Sequence, residues 1–184
     1  MSSIENLLHY SKEWAASFTQ GDLGVKPTLE LAVVACMDSR LNPQALLGLR
    51  PGEAHIMRNA GGTITDDMIR SLVISQRFLG TREIILIHHT DCGMLRFTDD
   101  ELLRSLHTET GVRPTWAVET FADTEEDLRM SMRRVLRSPF IPHTDNVRGF
   151  MYEVETGKLR EVKLNEGNAS HREAAAEWRA GTVD

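Results

Sequence analysis

Two short, almost uninterrupted apolar segments constrain the fold of this chain more than any other feature of its sequence. They lie at residues 29–36 (LELAVVAC) and 83–89 (EIILIHH). Strands buried inside a parallel sheet have this composition, because helices cover both of their faces and leave no face for polar side chains. The first segment stops at Met37-Asp38-Ser39-Arg40 and the second runs into His89-Thr90-Asp91-Cys92-Gly93, so the chemistry-bearing side chains gather at the strand ends.

Helical patterns separate these strands. Apolar residues at helical spacing and polar N-terminal caps predict helices at 4–18, 65–80, 98–106 and 124–138. Alternating or short apolar patterns predict further strands at 54–58, at 150–154 and around 162. Strands that alternate with helices favour an α/β fold: one domain with a mostly parallel central sheet, flanking helices and an antiparallel edge strand.

Length and composition are consistent with one domain. The chain has 184 residues, of which 41% are apolar, and this suffices for a single well-filled core. We predict an N-terminal helical arm at 1–28, a main domain at 29–164 and a polar C-terminal tail at 165–184.

The charge balance argues against two classes of partner. Twenty-one basic and 27 acidic residues give a net charge of −6, which disfavours general binding to nucleic acid or to an anionic membrane. The first residues show neither a basic segment nor an apolar segment of the kind found in secretory signals. We therefore expect a cytoplasmic protein.

Both cysteines of the chain lie where the two apolar segments end. Cys36 is the last residue of the first segment, and Cys92 follows His89 by three residues. If the two strands are neighbours, their carboxyl ends bring these side chains together. Two thiolates and one imidazole suit zinc, and three protein ligands leave a fourth position open, as in catalytic sites. Buried, inert thiols are the alternative, but the surrounding polar and glycine residues favour a metal site.

Three further residues near these strand ends need a separate interpretation. His88 precedes a candidate ligand on the same strand, so its side chain points to the opposite face, where a hydrogen-bonded packing role is expected. Asp38 and Arg40 are close enough to form a charge-assisted pair. The Asp38 carboxylate has three possible roles: it accepts a hydrogen bond from a metal-bound water, it fills the open position itself, or it only neutralises Arg40.

Three ordered motifs resemble the β-class carbonic anhydrases, and the resemblance runs from about residue 31 to 162. The motifs are Cys36-x-Asp38-x-Arg40, Arg58-Asn59-Ala60-Gly61-Gly62 and His89-x-x-Cys92-Gly93. The chain is most similar to small microbial members of the family, with Met94 where larger relatives usually have a second glycine. The resemblance implies one Zn²⁺ per subunit on Cys36, His89 and Cys92, with Asp38 and Arg40 as the catalytic pair. Candidate pocket residues are Asn59, Gly61, Gly62 and Gly93.

The resemblance also implies an activity and an assembly. It implies reversible hydration of carbon dioxide to bicarbonate by a hydroxide formed on zinc, in a homodimer or a dimer of dimers whose N-terminal helix packs across the partner. In some members of the family the carboxylate of the catalytic pair binds zinc at low pH, a role open to Asp38. Two thiolates cancel the charge of the ion, so we expect activity to favour alkaline pH.

Two other functions share the same ligands. Relatives of the small enzymes hydrolyse carbonyl sulfide or carbon disulfide by the same attack, and the motifs do not encode the choice of gas. A non-catalytic zinc-binding module, with Asp38 as a permanent fourth ligand, is the second alternative. A nucleotide-binding domain is disfavoured, because the Asn59–Gly62 segment matches neither of the glycine-rich phosphate motifs.

Overall fold

A five-stranded sheet forms the centre of the computed structural model, which describes residues 3–164. The strands are β1 (Leu31–Cys36), β2 (Ala54–Asn59), β3 (Glu83–His89), β4 (Val147–Tyr152) and β5 (Leu159–Val162). Their order is β2-β1-β3-β4-β5. The first four are parallel, and β5 pairs antiparallel with β4 at one edge. The predicted α/β fold with a mostly parallel sheet and an antiparallel edge strand is confirmed.

Strand β1 lies inside the sheet, as its apolar composition predicts. All six of its residues are buried, and it pairs with β2 on one side and β3 on the other. The register places Ala35 opposite Ile87 and Cys36 opposite Asn59. The carboxyl ends of β1 and β3 are therefore neighbours, which is the condition for the predicted metal site.

Five α-helices accompany the sheet within the described residues 3–164. They are α1 (Ser3–Ser17), α2 (Pro43–Leu47), α3 (Asp66–Arg77), α4 (Asp99–Thr110) and α5 (Thr124–Arg137). Thr65 caps α3, and Thr98 with Glu101 forms the predicted capping box of α4. Helix α4 continues past its predicted end at 106 and stops at Gly111, whose left-handed conformation ends the helix. The sequence pattern did not predict α2, which is only five residues long.

The sheet separates the core into two apolar clusters. On one face, Leu72 of α3 and Leu128 of α5 pack with Val34 and Leu86 of the sheet. A second cluster, with Val33, Ile87 and Leu41, also contains both cysteines and the buried Met94. The cysteine side chains thus lie in an apolar environment at the end of the sheet.

Helix α1 belongs to the predicted arm and stands apart from this core. Within residues 3–164, none of its side chains is buried, although the helix carries a row of apolar residues. No helix in the same range is long and apolar enough to cross a membrane. The predicted tail at 165–184 lies outside the described residues.

Candidate metal centre

Three buried donor atoms meet at the carboxyl ends of β1 and β3. Cys36 ends β1, His89 ends β3, and Cys92 follows in the next turn. The two Sγ atoms lie 4.0 Å apart, and the ligand atoms of all three residues lie within 4.8 Å of one another. Two sulfurs bound to one tetrahedral zinc ion would lie about 3.8 Å apart, given Zn–S bonds of about 2.3 Å. The structure thus brings the three predicted ligands together at a spacing that a metal ion fits.

The His89 ring is oriented for metal binding. Its Nδ1 donates a hydrogen bond to the carbonyl oxygen of Thr90 at 2.8 Å. The neutral ring therefore carries its proton on Nδ1, and the lone pair on Nε2 faces the two sulfurs. Nε2 is buried and has no hydrogen-bond partner in the described part of the chain. Buried polar atoms rarely lack a partner, and this one lies within 4.8 Å of both sulfurs, so the three atoms together are placed as metal ligands.

The two thiols and the imidazole share protons when no cation is present. The hydrogen bond from Cys92 lowers the pKa of Cys36 and raises the pKa of Cys92, because one thiolate is stabilised at the expense of the other. Burial lowers the pKa of His89, but the neighbouring Cys36 sulfur outweighs burial and raises it overall. A divalent cation at this point would replace those protons and stabilise both thiolates.

Asp38 lies at the rim of this group and is held by Arg40. Its Oδ1 accepts hydrogen bonds from the Arg40 backbone amide at 2.9 Å and from Nε at 3.0 Å, and its Oδ2 accepts one from Nη2 at 2.8 Å. These bonds hold the pKa of Asp38 well below its usual range, so the carboxylate is ionised. Oδ2 also lies 3.8 Å from His89 Nε2. The predicted pair is present beside the donor atoms.

Sequence reasoning assigned no role to Arg58, Asp91 or Arg96. Arg58 donates hydrogen bonds to the carbonyl oxygens of Cys36 at 2.9 Å and Asp38 at 2.7 Å, and so fixes the turn after β1. Asp91 accepts hydrogen bonds from Arg40 and Arg96, and both guanidinium groups lower the pKa of Asp91. Two sequence signals could have pointed to these roles. Arg58 lies in the second motif, and Asp91 lies between two predicted ligands.

The four candidate pocket residues take different positions. Asn59 ends β2 beside Cys36, and its amide donates to the carbonyl oxygen of Thr63 at 2.8 Å. Gly62 has a φ of +72°, and a Cβ there would lie 2.8 Å from the backbone nitrogen of Cys36. A Cβ on Gly61 would instead contact side chains, whereas Gly93 has open space around it. Gly62 thus permits close approach of the backbone to the first ligand.

His88 has the packing role expected from strand alternation. Its Nε2 lies 2.8 Å from Oδ2 of Asp127 in α5, on the face opposite to the metal donors, and the residue is fully buried. Its ring also stacks on Phe121. His88 is therefore not a fourth donor, and the expectation is confirmed.

Comparison with known proteins points to one family. A profile described as carbonic anhydrase matches residues 31–159. The chain is 52% identical to β-carbonic anhydrase 1 of Mycobacterium tuberculosis, over 88% of this chain and 99% of that protein. It is 38% identical to a carbon disulfide hydrolase of Saccharolobus solfataricus, over 74% and 79% of the two chains. The crystal structure of carbonic anhydrase from Streptococcus mutans is similar at a TM-score of 0.82, with 42% identity over 89% of this chain and 99% of that one.

Proposed function

The chain belongs to the β-class carbonic anhydrase family, and from this premise we propose that it catalyses the reversible hydration of carbon dioxide to bicarbonate at a zinc ion. The residues we assign as ligands are Cys36, His89 and Cys92. One observation carries this proposal: His89 presents a buried, unpartnered Nε2 toward two thiols. Nδ1 of His88 is also buried without a partner, but His89 is the histidine whose ligand atom lies within 4.8 Å of both thiol sulfurs.

The chemistry of the donor set fits zinc. Thiolate and imidazole are the ligands that zinc prefers in proteins, and three of them leave one tetrahedral position for a reactant. When bound there, zinc would acidify a water molecule and so supply the nucleophile that carbon dioxide requires. The donors lie in an apolar cluster with Met94 and Phe121, and this environment suits an uncharged gas better than a charged substrate.

We assign the orientation of the reacting water to Asp38. Because Arg40 occupies both carboxylate oxygens from one side, Asp38 stays ionised and its remaining lone pairs are free to accept a hydrogen bond. Its Oδ2 lies close enough to His89 Nε2 for a group bound between them to reach both. Arg58 supports this arrangement, because it fixes the backbone carbonyls on either side of Met37.

A non-catalytic zinc module would require Asp38 to leave Arg40 and bind the metal permanently. Three hydrogen bonds from Arg40 oppose this movement, and two of them are charge-assisted bonds from the guanidinium group. The pairing of Asp38 with Arg40 therefore favours a site that keeps a position for substrate. This supports an enzyme over a storage or structural role for the metal.

Hydrolysis of carbonyl sulfide or carbon disulfide is the second candidate function. The similarity to carbon disulfide hydrolases is the observation that favours it. Met94, at a position where the family resemblance leads us to expect a glycine in larger relatives, leaves this route open. These gases are linear and weakly polar like carbon dioxide, so the same donors can serve all three. The higher identity to a carbonic anhydrase, 52% against 38%, favours carbon dioxide.

An assay of one purified, zinc-loaded sample with all three gases tests the proposal. We expect the ratio kcat/KM to be highest for carbon dioxide, because the chain is more similar to a carbonic anhydrase than to a carbon disulfide hydrolase. Stopped-flow detection of proton release measures hydration, and detection of hydrogen sulfide measures the other two reactions. A higher kcat/KM for carbon disulfide or carbonyl sulfide would favour the hydrolase over the carbonic anhydrase. If no gas is turned over, the non-catalytic zinc-binding module becomes the favoured function.

We also propose that the protein is a homodimer through the arm. The apolar residues of α1 are between 50% and 69% exposed; they include Ile4, Leu7, Leu8, Trp14 and the adjoining Phe18. An isolated helix of this length is marginally stable in water, so α1 needs a surface to cover its apolar side. A second copy of the chain meets this need in the arrangement implied by the family resemblance.

Placing a charge on the apolar side of α1 should separate the subunits. We expect Leu7→Glu to weaken self-association by about 30-fold or more, the range for loss of a central interface residue. Ala16→Glu, which adds the same charge on the opposite side of the helix, is the matched control and should leave assembly intact. Sedimentation velocity over a concentration series measures both. Equal association of Leu7→Glu and the parent protein would exclude α1 from the interface.

A further inference from the structure

Asp91 lies between two assigned ligands in sequence, yet its side chain contacts arginines instead of the donor group. Its Oδ2 accepts a hydrogen bond from Arg40 Nη1 at 2.9 Å, and its Oδ1 accepts one from Arg96 Nη2 at 2.6 Å. The backbone carbonyl of Asp91 accepts a further bond from Arg40 Nη2 at 3.0 Å. Asp91 thus links Arg40 to the turn that carries Cys92.

Arg40 is held from two sides. Asp38 receives hydrogen bonds from its Nε and Nη2, and Asp91 receives bonds from its Nη1 and Nη2. Both sets of bonds form in the same side-chain conformation, so the two carboxylates do not compete for Arg40. One ordered conformation of the Arg40 side chain therefore serves both contacts, and its conformational entropy is lost only once.

The backbone of Asp91 is left-handed where it contacts Arg40. Its φ is +53°, in the left-handed region that few residues other than glycine adopt, although Asp and Asn tolerate it best. This conformation turns the peptide after Thr90 so that both the carboxylate and the carbonyl of Asp91 face Arg40. The strained backbone and the double contact occur at one residue.

Without Asp91, Arg40 would hold Asp38 less firmly. The Arg40 side chain is 44% exposed, and exposed ion pairs between mobile side chains contribute little on their own. Asp38 Oδ2 lies 3.8 Å from His89 Nε2, and two ligands of one tetrahedral zinc ion lie about 3.3 Å apart. A small movement of Asp38 away from Arg40 would therefore make it a metal ligand.

We propose that Asp91 is a positioning residue: with Arg96 it anchors Arg40, and the anchored Arg40 keeps the Asp38 carboxylate out of the metal's substrate position. This inference rests on the proposed function, because it presupposes a metal on Cys36, His89 and Cys92. It assigns a role to a residue that touches neither the donors nor the substrate position. Asp91 thereby sets the fraction of molecules whose site is open.

Cobalt-loaded protein tests this role without an activity assay. Azide binds the open position of Co²⁺ and changes its visible absorption, so a titration at fixed alkaline pH gives the affinity of that position. In Asp91→Asn, which retains the tolerance for positive φ, we expect azide to bind about five- to tenfold more weakly because Asp38 competes for the metal. The absorption of the azide-free protein should also change as a carboxylate becomes a ligand.

A matched control and a second background identify the cause. Asp67→Asn removes a comparable exposed pair, Asp67 with Arg70 at 2.7 Å on α3, and should leave the azide affinity unchanged. In an Asp38→Asn background no carboxylate is available to occupy the metal, so adding Asp91→Asn should have no further effect. If Asp91→Asn does not fold, Arg96→Gln replaces it, with a weakening of about twofold expected.

Three results would overturn the inference. Unchanged azide affinity in Asp91→Asn, or in Arg96→Gln where that variant replaces it, would show that the anchor does not control access to the metal. An equal loss of affinity in the Asp38→Asn background would mean that Asp91 acts by another route. A parent protein that binds no cobalt would overturn the proposed function together with this inference, whereas the first two results leave the proposed function intact.

Discussion

Cys92→Ser should abolish metal binding and turnover together. Serine keeps the shape of the side chain but does not ionise near neutral pH, so the site would lose one of its two thiolates. Loss of a supporting residue around a metal costs about 10- to 100-fold in affinity, and loss of a ligand should exceed that range. Elemental analysis of the purified variant and a carbon dioxide hydration assay give the two readouts.

Met94→Leu is the matched control for this substitution. Met94 is buried in the same apolar cluster as both cysteines, but its side chain is not part of the donor group. We expect the Met94→Leu variant to retain zinc. A chelator should therefore lower the melting temperature of Met94→Leu, but it should leave the melting temperature of Cys92→Ser unchanged. Normal zinc content or turnover in Cys92→Ser would contradict the assigned ligand set.

The fold was predictable where burial determines the local pattern. The composition of 29–36 identifies an internal parallel strand, and β1 has all six residues buried. The capping residues Thr65 and Thr98 marked the helix starts, because orphan backbone amides need a side-chain acceptor there. The adjacency of β1 and β3 was only a condition at the sequence level, because β2 lies between them in the chain; the observed pairing meets that condition and brings the donor atoms together.

Other features depend on contacts that no local pattern contains. Helix α2 has only five residues, too few to show helical periodicity, and it begins at a proline. The bond between Arg40 and Asp91 spans 51 positions and requires a positive φ at Asp91. The surface proposed to cover α1 is likewise not predictable from the sequence of the helix, since an amphipathic pattern indicates a need for cover without indicating which surface supplies it.

Gly62→Ala should strongly destabilise the protein although it removes no ligand. The left-handed conformation costs an alanine roughly 1–2 kcal/mol, and overpacking costs roughly 1–3 kcal/mol more. The new Cβ would lie 2.8 Å from the Cys36 backbone nitrogen and 3.0 Å from the Ala35 carbonyl carbon, and backbone atoms inside a sheet have little room to move. We expect the melting temperature to fall by about 5–15 °C, and calorimetry measures this.

Two other glycines separate the causes of that loss. Gly48 also has a positive φ, +66°, but a Cβ there would have no atom of the described residues within 4 Å. Gly48→Ala should therefore show only the cost of the left-handed conformation, about 1–2 kcal/mol. Gly93 has neither a positive φ nor a close neighbour, so Gly93→Ala should change stability by less than about 0.5 kcal/mol. Because the clash at Gly62 displaces Cys36, Gly62→Ala should also reduce zinc content, which the backbone cost at Gly48 cannot do. Similar losses of stability in Gly62→Ala and Gly48→Ala, with full zinc in both, would show that the close approach to β1 does not support the metal centre.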